Sequence, residues 1–240
     1  MFDTLYPRYP RATARFAGFA YLLIIICGIF AQLAVRSQLI EWGDAGTTAD
    51  NIRQNPDLLG LGIMADFLVY LLDIFLAFAF YRLFAPVNHG LALLAAWLRI
   101  AMTAVLFFNL VNFAAPLALL GDTNLANQLA DGQAEPLTLL FLNLHNSGFI
   151  IGLMVFGIYG LMLGYLVVRS TYVPALLGIG IIISGLSYLA LGIIHFALPA
   201  LDALGGPLLM SAALPEFAFT AWLLIIGVSR KKWDARTGAL

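Results

Sequence analysis

Charge is what this chain has least of. Lys and Arg together number 12 and Asp and Glu 13 among 240 residues, so charged side chains make up only 10% of it. A water-soluble fold needs far more polar surface than that, which excludes an ordinary soluble domain. The formal net charge is −1. With no basic cluster away from the apolar runs, nothing favours nucleic acid as a partner. Cysteine occurs once, at Cys27 inside an apolar run, so an internal disulfide and a cysteine-based metal site are both excluded. That residue reads as a small packed apolar side chain. The lysines are Lys231 and Lys232, outside every apolar run, which leaves none for a retinal Schiff base. No Gly-rich phosphate loop, no G-x-S-x-G and no H-E-x-x-H occurs. No A-x-A site closely follows the first apolar run, so that run reads as an anchor rather than a cleaved leader. No internal repeat is visible, which weighs against a duplicated transporter fold.

Apolar residues are what remains. They make up 62% of the chain, and the mean hydropathy is +0.94. A hydrocarbon core of about 30 Å takes roughly 20 helical residues. Six runs meet that length, at about 16–35, 58–81, 91–119, 137–168, 174–198 and 208–228. They are too long and too uniformly apolar for the alternating strands of a barrel, so the expected fold is all-α, a six-transmembrane-helix bundle forming one integral membrane domain over 1–240. Asn55 and Pro56 read as an N-cap followed by a first-turn proline, and Pro86 ends the second run. Between the first two runs, 43–55 reads as a short polar interfacial helix capped by Asp44.

The cations orient these spans. Arg8, Arg11, Arg15, Arg82, Arg169, Arg230, Lys231, Lys232 and Arg236 fall on one side, whereas the other holds Arg36 and Arg53. The positive-inside rule then puts both termini in the cytoplasm, in a plasma (inner) membrane. Arg99 alone among the cations lies within a span.

Several short motifs run the length of the chain. They are Ala14-Arg15-Phe16-Ala17-Gly18; Gly43-Asp44-Ala45 with Thr47, Thr48 and Asn51; Tyr81-Arg82-Leu83 to Pro86-Val87-Asn88; Phe156-Gly157 to Gly164-Tyr165-Leu166 with Arg169-Ser170; and Glu216 to Trp222-Leu223-Leu224 with Gly227-Val228. Together they resemble the bacterial domain-of-unknown-function 4386 family over essentially the whole sequence. That resemblance implies a bacterial inner-membrane protein with no established activity, and it carries no catalytic residue across.

Small residues predict close helix contacts in lipid, where no hydrophobic effect drives association. Gly148 with Gly152 and Gly160 with Gly164 are each four apart, and Gly178, Gly185 and Gly192 follow heptad spacing.

Ionisable residues inside spans are the informative exceptions, because each costs several kcal/mol in lipid and so faces the bundle interior. Asp73 lies about fifteen residues into the second span from its outer end, and Arg99 about eight into the third from its inner end, which puts them at one level. An ion pair is expected, with a structural role favoured over a relay. Asp66, His145, His195 and Glu216 count to the outer third. Asn109, Asn112, Asn146 and Tyr188 add polar groups at similar depth. These eight residues predict a polar pocket open toward the outer leaflet.

Three chemistries remain open for that pocket. It could bind or move a small molecule, lipid or ion. His145, His195, Asp66 and Glu216 have the ligand types of a zinc or iron site, so an intramembrane metal-dependent hydrolase acting on a lipid-like substrate is the alternative. A structural partner of a membrane complex is the third. Two histidines are also compatible with a haem, although nothing in the sequence requires a cofactor. Oligomeric state is left open.

Overall fold

The computed structural model describes residues 6–121, 128–130 and 132–238. Much of the connection between Gly121 and Pro136, including Asp131, lies outside the described residues. No strand occurs among those described. The helices are α1 (Pro10–Leu39), α2 (Ala45–Gln54), α3 (Pro56–Phe84), α4 (His89–Leu120), α5 (Ala134–Ser170), α6 (Ala175–Ala197), α7 (Gly205–Ile225) and α8 (Arg230–Thr237). Six helical segments are long and apolar enough to cross a membrane. Large apolar side chains on them point outward, Phe108 at 82% exposure among them. That is the make-up of a multi-pass membrane protein, for which lipid tails rather than water meet the surface.

Two helices depart from the expected spans at three places, each for a local reason. Within α1 the segment Phe30–Arg36 is π-helical, with the Ser37 N–H reaching back to the Gln32 carbonyl. The helix therefore continues past Val35, where a polar Arg-Ser-Gln flank predicts an end. Ahead of α7, Pro199–Leu204 forms 3₁₀ turns that run directly into it, making one apolar span of Pro199–Ile225. The turn-forming residues there predict a connection, yet proline is tolerated at a helix start. At its other end α7 stops at Ile225 because Gly227 takes φ +74°, and its N–H bonds the Trp222 carbonyl.

The chain forms two compact units. One comprises Met1–Leu23, Leu72–Thr103 and Ile150–Leu240, and the other Ile24–Leu71 and Ala104–Phe149. In the first, α5 and α6 touch through glycine. A Cβ on Gly164 would lie 2.6 Å from the Gly178 carbonyl oxygen, and one on Gly185 would lie 2.6 Å from that of Gly157. Ala14, Ala17 and Ala20 are buried there, and Gly18 lets α1 approach the Leu224 backbone. On α8, Trp233 packs edge-on against Tyr172 at 5.0 Å, while Arg236 donates to the carbonyls of Pro86, Val87 and Arg169.

The second unit has its own core of Val35, Leu39, Ile52, Leu59, Phe113 and Leu142. α2 is tied to it at Thr48, whose hydroxyl donates to the Glu41 carbonyl and accepts from the Glu41 N–H, both at 3.0 Å. Asp44 caps α2 by accepting from the Thr47 N–H at 2.9 Å. Arg53 pairs with Asp50 and Glu135.

Candidate functional site

Each unit buries a charged polar cluster among its described residues. In the second unit the cluster centres on Arg36, at the end of the π-helical segment. Such a segment adds a residue to one turn and redirects the side chains beyond it, and π-turns recur at functional positions. The Arg36 side chain is only 13% exposed. Its Nη2 bonds the Asp66 carboxylate and also lies 3.0 Å from His145 Nε2. Its Cζ sits 4.4 Å from the Phe113 ring centroid, and Phe113 in turn stacks on His145.

His145 is fixed from its other side by α4. Asn109 Nδ2 donates to the His145 carbonyl at 2.8 Å, and His145 Nδ1 lies 3.2 Å from the Asn109 carbonyl. An Nδ1–H donating to that carbonyl leaves the Nε2 lone pair to accept from Arg36, so the network assigns a neutral ring with its proton on Nδ1. Asn112 Nδ2 donates to Asn109 Oδ1 at 3.0 Å. Gly148 makes room for this: a Cβ there would run into the Asn109 carboxamide.

The first unit holds the second cluster. Arg99 is 1% exposed, and its Nε donates to Asp73 Oδ1 at 3.0 Å, with Nη2 bonding the same oxygen. Nη1 donates to the Tyr159 hydroxyl at 2.9 Å. Tyr21, Phe80, Phe156 and Tyr159 surround the guanidinium, with ring centroids 4.9 to 5.9 Å from Cζ. Four aromatic faces and one carboxylate thus replace the water this cation has lost. Glu216 lies in the same unit, accepting from the Tyr21 hydroxyl at 3.1 Å and from Tyr188. Beside it Pro215 interrupts the α7 hydrogen-bond ladder, and Ser184 Oγ donates to the Ala212 carbonyl at 2.7 Å.

The residues expected in one outer pocket are therefore distributed over both units. Asp66, Asn109, Asn112 and His145 come together around Arg36. Glu216 and Tyr188 belong to the first unit instead. Counting from Leu208 puts Glu216 about eight residues into its span, whereas the continuous segment from Pro199 makes it about seventeen, some 13 Å further from the start of the span than the first count gives. His195 stands beside Phe196, half-buried, and Asn146 is half-buried on α5. Among the described residues no group of three or more His, Cys, Asp or Glu side chains is disposed to hold a metal ion. Between Asp66 and His145, Arg36 Nη2 bonds Asp66 Oδ2 and faces His145 Nε2, two of the atoms a metal would need.

Arg36, Tyr21 and Tyr159 escaped the sequence reading. Leu39 and Ile40 follow Arg36, so the apolar run resumes beyond it, and that resumption is the signal that it lies inside a helix rather than after one. The two tyrosines carry a weaker signal, a polar tip within an apolar run.

Fold and clusters together define an all-helical protein with six membrane-length apolar helices and two buried, charged networks. The chain belongs to the family described as Domain of unknown function (DUF4386), whose profile matches residues 16–227. It is also similar to an uncharacterized protein of Archaeoglobus fulgidus, 27% identical over 165 residues that cover 69% of this chain and 83% of the relative. No solved structure matches it.

Proposed function

We propose that this is a bacterial inner-membrane protein, with both termini cytoplasmic, that binds or moves a small molecule, lipid or ion through polar groups near the outer leaflet. Arg36 carries the reading. Drawing a guanidinium into an apolar segment costs several kcal/mol, and a purely structural pair would offset that best with a two-pronged bond to its carboxylate. Instead one nitrogen, Nη2, serves both Asp66 and His145, while Nε and Nη1 have no partner among the described residues. Those donors suit an incoming acceptor such as a phosphate or carboxylate, with Phe113 backing the guanidinium plane.

The orientation rests on the nine-to-two division of cations, and it sharpens once Arg36 is engaged inside the unit. For the metal-dependent hydrolase, Asp66 and His145 would first have to release Arg36. The test is thermal unfolding of purified protein in a neutral detergent, titrated with phosphatidylglycerol and, separately, with phosphatidylcholine. Phosphatidylglycerol should raise the melting temperature of the wild type and not of Arg36→Gln. An equal response in both proteins would sink the reading.

A further inference from the structure

The first unit holds a carboxylate without a cation of its own. Glu216 is 9% exposed, and its hydrogen-bond partners are the hydroxyls of Tyr21 and Tyr188. The titratable and charged groups that face it come from five other helices: Tyr21 on α1, Asp73 on α3, Arg99 on α4, Tyr159 on α5 and Tyr188 on α6. Arg99 is the one cation among them, and its three nitrogens are committed to Asp73 and Tyr159. Asp73 and Arg99 cancel. Glu216 therefore sets the net charge of the cluster, −1 when ionised and zero when it carries a proton. Charge without a counter-ion in a low-dielectric interior is strongly disfavoured.

Two further observations point to an exchangeable occupant. A small cavity opens against the carboxylate, lined by Tyr21, Phe156, Tyr159, Ser184, Tyr188 and Glu216, with room for about one water molecule. One turn along α7, beyond the lining of that cavity, Thr220 Oγ1 is buried with no hydrogen-bond partner among the described residues. A buried hydroxyl in that state is short of a bond that a mobile water would supply.

We propose that Glu216 is a proton-binding site that loads and unloads a single proton inside the helix bundle through this cavity. A hydronium in the cavity transfers its proton to a carboxylate oxygen and leaves water behind, and release is the reverse. No electrons move, and the cluster passes between −1 and neutral while the Asp73–Arg99 pair stays intact. Tyr21 and Tyr188 hold the carboxyl in place in both states. This inference does not rest on the Arg36 site, which lies among other residues in the other unit.

Infrared difference spectroscopy on the full-length protein in phosphatidylcholine vesicles tests it. At neutral pH the wild type should show the C=O stretch of a protonated buried carboxyl, and that band should disappear reversibly under alkaline buffer. Glu216→Gln should lack it. Tyr188→Phe, which keeps the ring and removes one donor, should retain the band at a shifted frequency, so the assignment survives even if the glutamine variant fails to fold. Absence of any such band in the wild type, its persistence in Glu216→Gln, or its displacement by sodium at constant pH would each overturn the proposal.

Discussion

Asn109 and His145 exchange hydrogen bonds across α4 and α5. The Asn109 side chain donates to the His145 carbonyl at 2.8 Å, and the His145 ring lies 3.2 Å from the Asn109 carbonyl. Side chain to backbone in both directions locks the register of two helices, and Gly148 is the space that permits it. Gly148→Ala should then destabilise by about 1–3 kcal/mol, because its Cβ would displace the Asn109 carboxamide from its bond to the His145 carbonyl. In an Asn109→Ala background the same substitution should cost much less. Unfolding in mixed micelles measures both, and equal costs in the two backgrounds would mean that the glycine serves something else.

Arg99 and Asp73 call for a full double-mutant cycle. Each single neutralisation, Arg99→Gln or Asp73→Asn, leaves a buried charge uncompensated and should cost about 3–5 kcal/mol. The double variant should cost clearly less than the sum, since neither charge then remains. Tyr159→Phe should sit between wild type and the singles, having removed one bond to the guanidinium. Strict additivity in the cycle would show that the two charges are not coupled.

How far residues alone reveal these clusters depends on what kind of contact joins them. Asp73 and Arg99 are on consecutive helices, and counting from the helix ends gives their common level, because the rise per residue is fixed. Arg36 is hidden from that method. A cation after an apolar run reads as a flank, and only the π-helical turn and the three further residues to Leu39 carry it back inside. Glu216 is displaced for the opposite reason, since Pro199, Asp202, Gly205 and Pro207 have the composition of a connection and yet form helical turns. The Asn109–His145 exchange leaves no trace in residue types, because half of its atoms are backbone. Six apolar spans and the capped α2 were legible because length, hydropathy and local capping chemistry set them without help from tertiary contacts.

The α5–α6 contact makes a sharper prediction than glycine spacing alone. At Gly164 an added methyl would meet the Gly178 carbonyl, and backbone cannot rotate away as a side chain does. Gly164→Ala should therefore force the helices apart and lower stability by about 1–3 kcal/mol. Gly28 on α1 offers the control, with nothing within 4 Å of an added Cβ. Gly28→Ala should be neutral or slightly stabilising through helix propensity. If both variants melt alike, the close approach does not contribute to stability.

Acid should loosen α2 through its cap. The backbone N–H of Thr47, and after it the Thr47 hydroxyl, hold the Asp44 carboxyl below its ordinary value of 3.8. A depressed folded value means that the cap stabilises fully above the unfolded value and is lost as pH falls through the folded one. Amide exchange in α2, corrected for intrinsic rates, should rise below about pH 4 in the wild type. Asp44→Ser keeps an acceptor that does not titrate, so its exchange should stay level through that range. An identical acid response in the serine variant would move the cause to another carboxylate of the same unit.

Topology follows from the cations and can be read with two engineered cysteines in a Cys27→Ala background. Asp50 is exposed on α2, between the first and second apolar spans, and Asn88 is exposed in the turn after the second. One helix, α3, separates them, so a single crossing puts them on opposite faces of the membrane. With the termini in the cytoplasm, a membrane-impermeant maleimide should label Asp50→Cys in intact cells and reach Asn88→Cys only after permeabilisation. The inverse pattern would reverse the orientation and make the Arg36 cluster face the cytoplasmic leaflet. Labelling of both without permeabilisation would mean that α3 does not cross at all, and the six-span reading would fail with it.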